Sequence, residues 1–150
     1  MNLSFLDVGT PAVAEFTNSG GTSVSTYTAN QTIYVRVTDL DQNTNSGLVE
    51  TVTVTITNSS GDTETITLTE TGADTGIFTG SVPASATVVG TSNNGTLYAP
   101  TGSALNMTYV DPTDATDVAT RSATVPAPTA VDGVSVSKVL VSPAASQVVV

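Results

Sequence analysis

The sequence predicts an all-β protein, an antiparallel β-sandwich of about seven strands with Greek-key connections. Three observations carry that expectation. The dominant period is two, plainest at residues 51–57 and 63–69, where hydroxyl and aliphatic side chains alternate almost without error. Turn residues recur between such runs at the spacing a sandwich needs. No segment carries a convincing helical period.

Taken in order, the first strand (A) covers residues 13–16, and the second (B) residues 32–38, with Ile33, Val35 and Val37 inward. Strand C follows at 51–57 and strand D at 63–69, placing Val52, Val54, Ile56, Ile66 and Leu68 on a buried face and leaving the threonine face to solvent. Asn58-Ser59-Ser60-Gly61-Asp62 joins C and D as a short hairpin, because Asn and Gly tolerate positive φ. Residues 78–82 form strand E; Leu105, Met107 and Tyr109 mark strand F; residues 118–125, with the weakest alternation, supply strand G. The long E–F connection is expected to hold an extra hairpin: Asn93-Asn94-Gly95 stands between Thr87-Val88-Val89 and Thr96-Leu97-Tyr98. Seven strands so spaced predict an immunoglobulin-like sandwich over residues 1–125.

Beyond it the character changes. Pro126-Ala127-Pro128 lacks two ladder donors and reads as a semi-rigid linker over 126–130. Residues 131–150 form a strand-like tail whose Val134, Val136, Val139, Leu140, Val141, Val148, Val149 and Val150 have no evident partner inside the sandwich. Such a tail is expected to add as a strand to a neighbouring copy or repeat, or to open a following repeat. The start, Met1-Asn2-Leu3-Ser4, lacks the basic and apolar parts of a secretory signal and reads as a mature terminus or a cut fragment.

Charge narrows the function classes. The 150 residues carry a formal charge of -10, with Arg36, Arg121 and Lys138 as the only bases, and threonine fills roughly a fifth of the chain. That field opposes contact with nucleic acid and with anionic membrane surfaces, and no apolar run is long enough to span a bilayer. With no His and no Cys, Ser–His and Cys–His nucleophiles and zinc-type sites are excluded. A carboxylate pair for glycoside hydrolysis would need a sugar-binding cleft, and a chain without Trp offers a poor platform for one. A non-catalytic role is therefore expected.

Eight of the thirteen acids collect in three loops that a Greek-key sandwich brings to one end. Asp39, Asp41 and Glu50 bracket the B–C loop, Glu70 and Asp74 the D–E loop, and Asp111, Asp114 and Asp117 the F–G loop. Asp39-x-Asp41-x-Asn43 has the alternate-oxygen spacing that lets side chains converge on a cation of 6–8 oxygen ligands, although it lacks the glycine and later glutamate of an EF-hand. Calcium is the expected cofactor, with Asp39, Asp41, Asn43, Glu70, Asp74, Asp111, Asp114 and Asp117 as candidate ligands. The rival reading is that these Asp and Asn residues only make turns. Tyr109 is read as a tyrosine corner or as core filling, and Tyr34 with Arg36, sharing the outer face of strand B, as the first face to search for a protein contact.

Three segments together resemble a known family. Residues 34–43 (YVRVTDLDQN), 50–54 (ETVTV) and 68–80 (LTETGADTGIFTG), followed by Tyr109-Val110-Asp111-Pro112-Thr113-Asp114, are similar to the Ig-like repeats of large prokaryotic surface proteins, adhesins and filament subunits. The likeness covers about residues 15–125, and Val139-Leu140-Val141-Ser142-Pro143 is similar to the start of a following repeat. It implies an extracellular, cell-surface setting, a structural or adhesive role, and copies of itself, neighbouring repeats or a host surface ligand as partners. The alternative is a calcium-dependent glycan- or protein-binding module using the B–C, D–E and F–G loops.

Overall fold

A computed structural model describes residues 9–129 of the chain. The nine strands are β1 (Val13–Thr17), β2 (Ile33–Thr38), β3 (Thr51–Asn58), β4 (Thr63–Glu70), β5 (Ile77–Val82), β6 (Ala84–Ser85), β7 (Leu97–Tyr98), β8 (Ser103–Val110) and β9 (Val118–Val125), and no helix forms among the described residues. Seven of them make one antiparallel sheet in the order β1-β2-β5-β4-β3-β8-β9. The strands expected as A to G are thus β1 to β5, β8 and β9. They are not split by hydrogen bonding into two sheets, because the β3–β4 hairpin pairs from Thr51 with Thr69 to Thr57 with Thr63 while β3 also pairs with β8.

Alternation dictates which side chains go in. Ile33, Val35 and Val37 of β2, Val52, Val54 and Ile56 of β3, and Leu105, Met107 and Tyr109 of β8 are all buried, each on one phase of its strand. Phe16, Leu68 and Phe78 fill the space between them, while Ile66 is only half-buried. A fully buried aliphatic or aromatic side chain of this kind contributes about 1.5–3 kcal/mol. The sheet curls until β1 approaches β9, so that the fold is nearly a closed barrel.

The seam between β1 and β9 is stitched by a segment without periodicity. Val24 N–H donates to the Phe16 carbonyl (2.8 Å), Tyr27 N–H to the Thr124 carbonyl (2.9 Å), and Thr124 N–H to the Ser25 carbonyl (3.0 Å). Tyr27 anchors this segment: its ring stands edge-on to Phe16 at 6.0 Å, and its hydroxyl lies 2.7 Å from the Thr17 carbonyl and 2.8 Å from that of Tyr34. Burial pushes the phenol up to about 12.

The expected extra hairpin does not form. Leu97–Tyr98 pairs in parallel with Ala84–Ser85, and Val88 and Val89 are exposed rather than in a strand. Asn93 and Gly95 do take the positive φ of a turn, 60° and 86°. However, the turn docks sideways on β4. β4 and β5 pair over two residues, Thr69 with Thr79 and Glu70 with Phe78, which leaves the start of β4 in need of partners. Asn93 supplies them, donating its N–H to the Thr63 carbonyl (2.8 Å) and accepting Thr65 N–H at its Oδ1 (2.9 Å). The buried Glu64 carboxylate then accepts the N–H groups of Asn94 (3.0 Å) and Gly95 (2.9 Å). A buried acid that needs donors outweighs the local preference for a hairpin.

Residues 126–129 leave β9 without forming a strand, and Pro126 and Pro128 line a cavity of about 390 Å³ with Tyr27, Ala29 and Thr101. The proposed assembly positions, Val134 to Val150, lie outside the described residues.

Candidate metal centre

The inward phase of two strands runs on past their ends into acids. On β2 the buried positions are Ile33, Val35 and Val37, so the next inward position is Asp39, which is 1% exposed. On β8 they are Ser103, Leu105, Met107 and Tyr109, and the next is Asp111, 2% exposed. Both carboxylates therefore sit in the mouth of the barrel rather than on its rim. Asp41, one further step in phase from Asp39, is half-buried. One carboxylate oxygen from each of Asp39, Asp41 and Asp111 lies within 4.8 Å of the other two.

Neighbours hold one side of this group. The Tyr109 hydroxyl donates to Asp39 Oδ2 at 2.6 Å, so Tyr109 both fills the core and clamps the site. Gln42, itself buried, donates from Nε2 to Asp111 Oδ1 (2.8 Å), which also accepts Thr113 N–H (2.6 Å) and the Thr113 hydroxyl (2.9 Å). Asn43 Nδ2 donates to Asp74 Oδ1 at 2.8 Å, tying the β2–β3 loop to the β4–β5 loop. Burial pushes the Asp39 carboxyl up to about 7, helped by the neighbouring Asp41 carboxyl and by the charge of Asp111, and opposed by the Tyr109 hydroxyl. The same burial, with Asp39 beside it, drives the Tyr109 phenol upward as well.

The remaining candidates are at the same end but have other work. Glu70 accepts the N–H groups of Thr75 and Gly76 (both 2.8 Å) and of Glu50 (3.2 Å). Burial would raise its carboxyl, but these amides hold it below the usual range. Gly76 is needed here: its φ is 60°, and a Cβ would meet the Asp39 carbonyl oxygen at 2.9 Å. Asp114 is exposed and accepts the Thr116 hydroxyl (2.7 Å) and N–H (2.9 Å), which lower its carboxyl. Asp117 Oδ2 accepts Ala12 N–H (2.8 Å), pinning the start of β1. Glu50 accepts Thr44 N–H (2.8 Å). For Glu50, Glu70 and Asp114 the turn-making reading describes what their side chains do, whereas Asp117 ties its loop to β1.

Sequence reasoning missed Gln42, Thr113 and the donor role of Tyr109. Asp111 was among the expected ligands, and the Asp39 partner of Tyr109 could have been sought from the inward phase that Tyr109 and Asp111 share with residues 103–107. Gln42 breaks the phase set by Asp39 and Asp41 and carried no signal. Arg36, expected on an outward face open to partners, is held by Glu15 through its Nε (2.9 Å) and Nη2 atoms. The Ser23 hydroxyl and Arg36 keep the Glu15 carboxyl below its usual range.

Compared with known proteins, the chain matches no family model and no curated protein.

Proposed function

We propose that the chain is a non-catalytic structural and adhesive module of a prokaryotic extracellular surface protein or filament, immunoglobulin-like in architecture. One observation carries the reading: among the described residues β1 begins at one end of the barrel and β9 finishes at the other. Ala12, just before β1, is bonded to Asp117 beside the acidic loops, whereas β9 ends at Val125 opposite Ser103, where Pro126 and Pro128 follow. Eight-residue strands separate the two ends by roughly 25 Å at about 3.3 Å per residue. Copies joined in series would add length rather than fold back. The strand order supports the immunoglobulin-like reading, because β1-β2-β5-β4 and β3-β8-β9 are the A-B-E-D and C-F-G sets of that sandwich, here joined along β3–β4.

Small-angle scattering tests the spacer role: two copies of the whole chain in tandem should nearly double the longest dimension of one copy. A compact pair refutes it. Terminal-strand addition predicts that the intact chain self-associates and that a chain ending at Pro128 stays a folded monomer. Loss of folding on that truncation, with a strictly monomeric intact chain, would refute strand addition.

A second reading, a calcium-dependent glycan- or protein-binding module, is favoured by Leu40, Leu48 and Val49, which are exposed on the acidic β2–β3 loop. Retention of a surface ligand after chelation would exclude it.

A further inference from the structure

We propose that Asp39, Asp41 and Asp111, with the carboxamide oxygen of Asn43, form a binding site for one hard divalent cation, calcium rather than magnesium. The inference stands whether or not the module is a spacer. It narrows the acids of three loops to four side chains in two of them.

The unused oxygens carry the argument. Asp39 Oδ1, Asp41 Oδ1, Asn43 Oδ1 and Asp111 Oδ2 are buried and have no hydrogen-bond partner. Buried polar atoms are rarely left so, and carboxylate oxygens least of all. In three of the four side chains the other polar atom is fixed by a donor or an acceptor: Asp39 by Tyr109, Asp111 by Gln42 and Thr113, Asn43 by Asp74. That is how outer partners orient metal ligands, holding one atom so that the other faces the ion. Asp41 Oδ2 occupies the space that a side chain at position 9 would need, since a Cβ on Gly9 would lie 2.3 Å from it. The acids outside the set already accept backbone amides, as Glu70, Asp114 and Asp117 do.

Charge and size identify the ion. Three carboxylates converge with no basic side chain bonded to them; among the described residues the salt bridge formed is Arg36 with Glu15, on the outer face of β1 and β2. Three carboxylate oxygens within 4.8 Å of one another, carried on two loops, suit the flexible shell of calcium at about 2.3–2.6 Å better than the near-ideal octahedron at about 2.0–2.1 Å that magnesium demands. An all-oxygen set in a chain without His or Cys also favours a hard cation over a transition metal. The bound ion would join the β2–β3 loop to the β8–β9 loop, with backbone carbonyls and water completing its shell.

The test is calorimetric titration of calcium chloride into the metal-stripped full chain at neutral pH. One site is expected, with Kd between about 10⁻⁷ and 10⁻³ M. Terbium should bind in its place and luminesce by transfer from Tyr109, a signal that Tyr109→Phe removes and that calcium, but not equimolar magnesium, competes away. Asp41→Asn, which breaks no hydrogen bond, should weaken binding at least about tenfold, and Asp114→Asn should change it less than about twofold, as befits a residue outside the shell. Asp39→Asn, which keeps an acceptor for Tyr109, should match Asp41→Asn and serves if that variant fails to fold. Absence of saturable calcium binding up to about 5 mM overturns the site, as does a folded Asp41→Asn or Asp39→Asn chain that binds like the parent, or equal losses in Asp114→Asn.

Discussion

Replacing Asp39 by Asn should stabilise the metal-stripped protein above neutral pH and leave it nearly unchanged in acid. The carboxyl is raised from 3.8 to about 7 in the folded chain. Between those values the folded state holds a proton that the unfolded state has released, so stability falls as pH rises through the window and the full penalty stands above pH 7. One pKa unit is about 1.4 kcal/mol, which sets a ceiling of about 4 kcal/mol; with the effective screening found inside proteins, about 1–2 kcal/mol is the working expectation. Asn keeps an oxygen for the Tyr109 hydroxyl and removes the charge, so it escapes the penalty. Urea unfolding of both proteins in metal-stripped buffer measures the difference, expected near zero at about pH 4 and in favour of the variant at about pH 8. Calcium well above the parent's Kd should offset or reverse the order, because the parent binds the ion more tightly and gains more from it. A variant less stable than the parent at the higher pH without metal, or a difference independent of pH, would refute the reasoning.

Three further outcomes follow from other parts of the fold. Tyr27→Phe removes the hydroxyl shared by the Thr17 and Tyr34 carbonyls and should cost about 1–2 kcal/mol by denaturant unfolding. Gly76→Ala forces a Cβ against the Asp39 carbonyl at φ 60° and should lower the melting temperature more than Gly95→Ala, whose Cβ would meet open space. Glu64→Ala frees the Asn94 and Gly95 amides, which should then exchange with solvent faster than in the parent while the β3 amides keep their protection.

The strands could be read from the chain wherever one face is buried, because alternation in residues 51–57 and 63–69 has one solution that puts Val54 and Leu68 inside. What could not be read are the features decided by long-range partners. Asn93-Asn94-Gly95 has ideal hairpin chemistry, yet Glu64, some thirty residues earlier, claims its amides. Tyr27 stands in a stretch with no period, so nothing local marks it as the pin of the β1–β9 seam. Within the candidate site, the convergence of the loops was legible from topology, and Asp39 and Asp111 were distinguishable from Asp114 by strand phase, whereas Asp117, in phase with the buried Ala119, was not. That Glu70 caps the β4–β5 turn depends on where the Thr75 and Gly76 amides point, which composition does not encode.

The seam also sets how the protein would respond to a pull. β1 and β9 both run from the acidic end toward the proline end, so tension applied at Ala12 and at Pro126 acts along both strands in opposite senses. The ladder from Val13 with Thr38 to Thr17 with Tyr34, and the Tyr27 and Thr124 bonds across the seam, would be loaded in shear and would have to yield together. A hairpin loaded from its open end peels one bond at a time; this arrangement resists as a block. Stretched between two anchors, the barrel would rupture at a high, well-defined force and then extend abruptly.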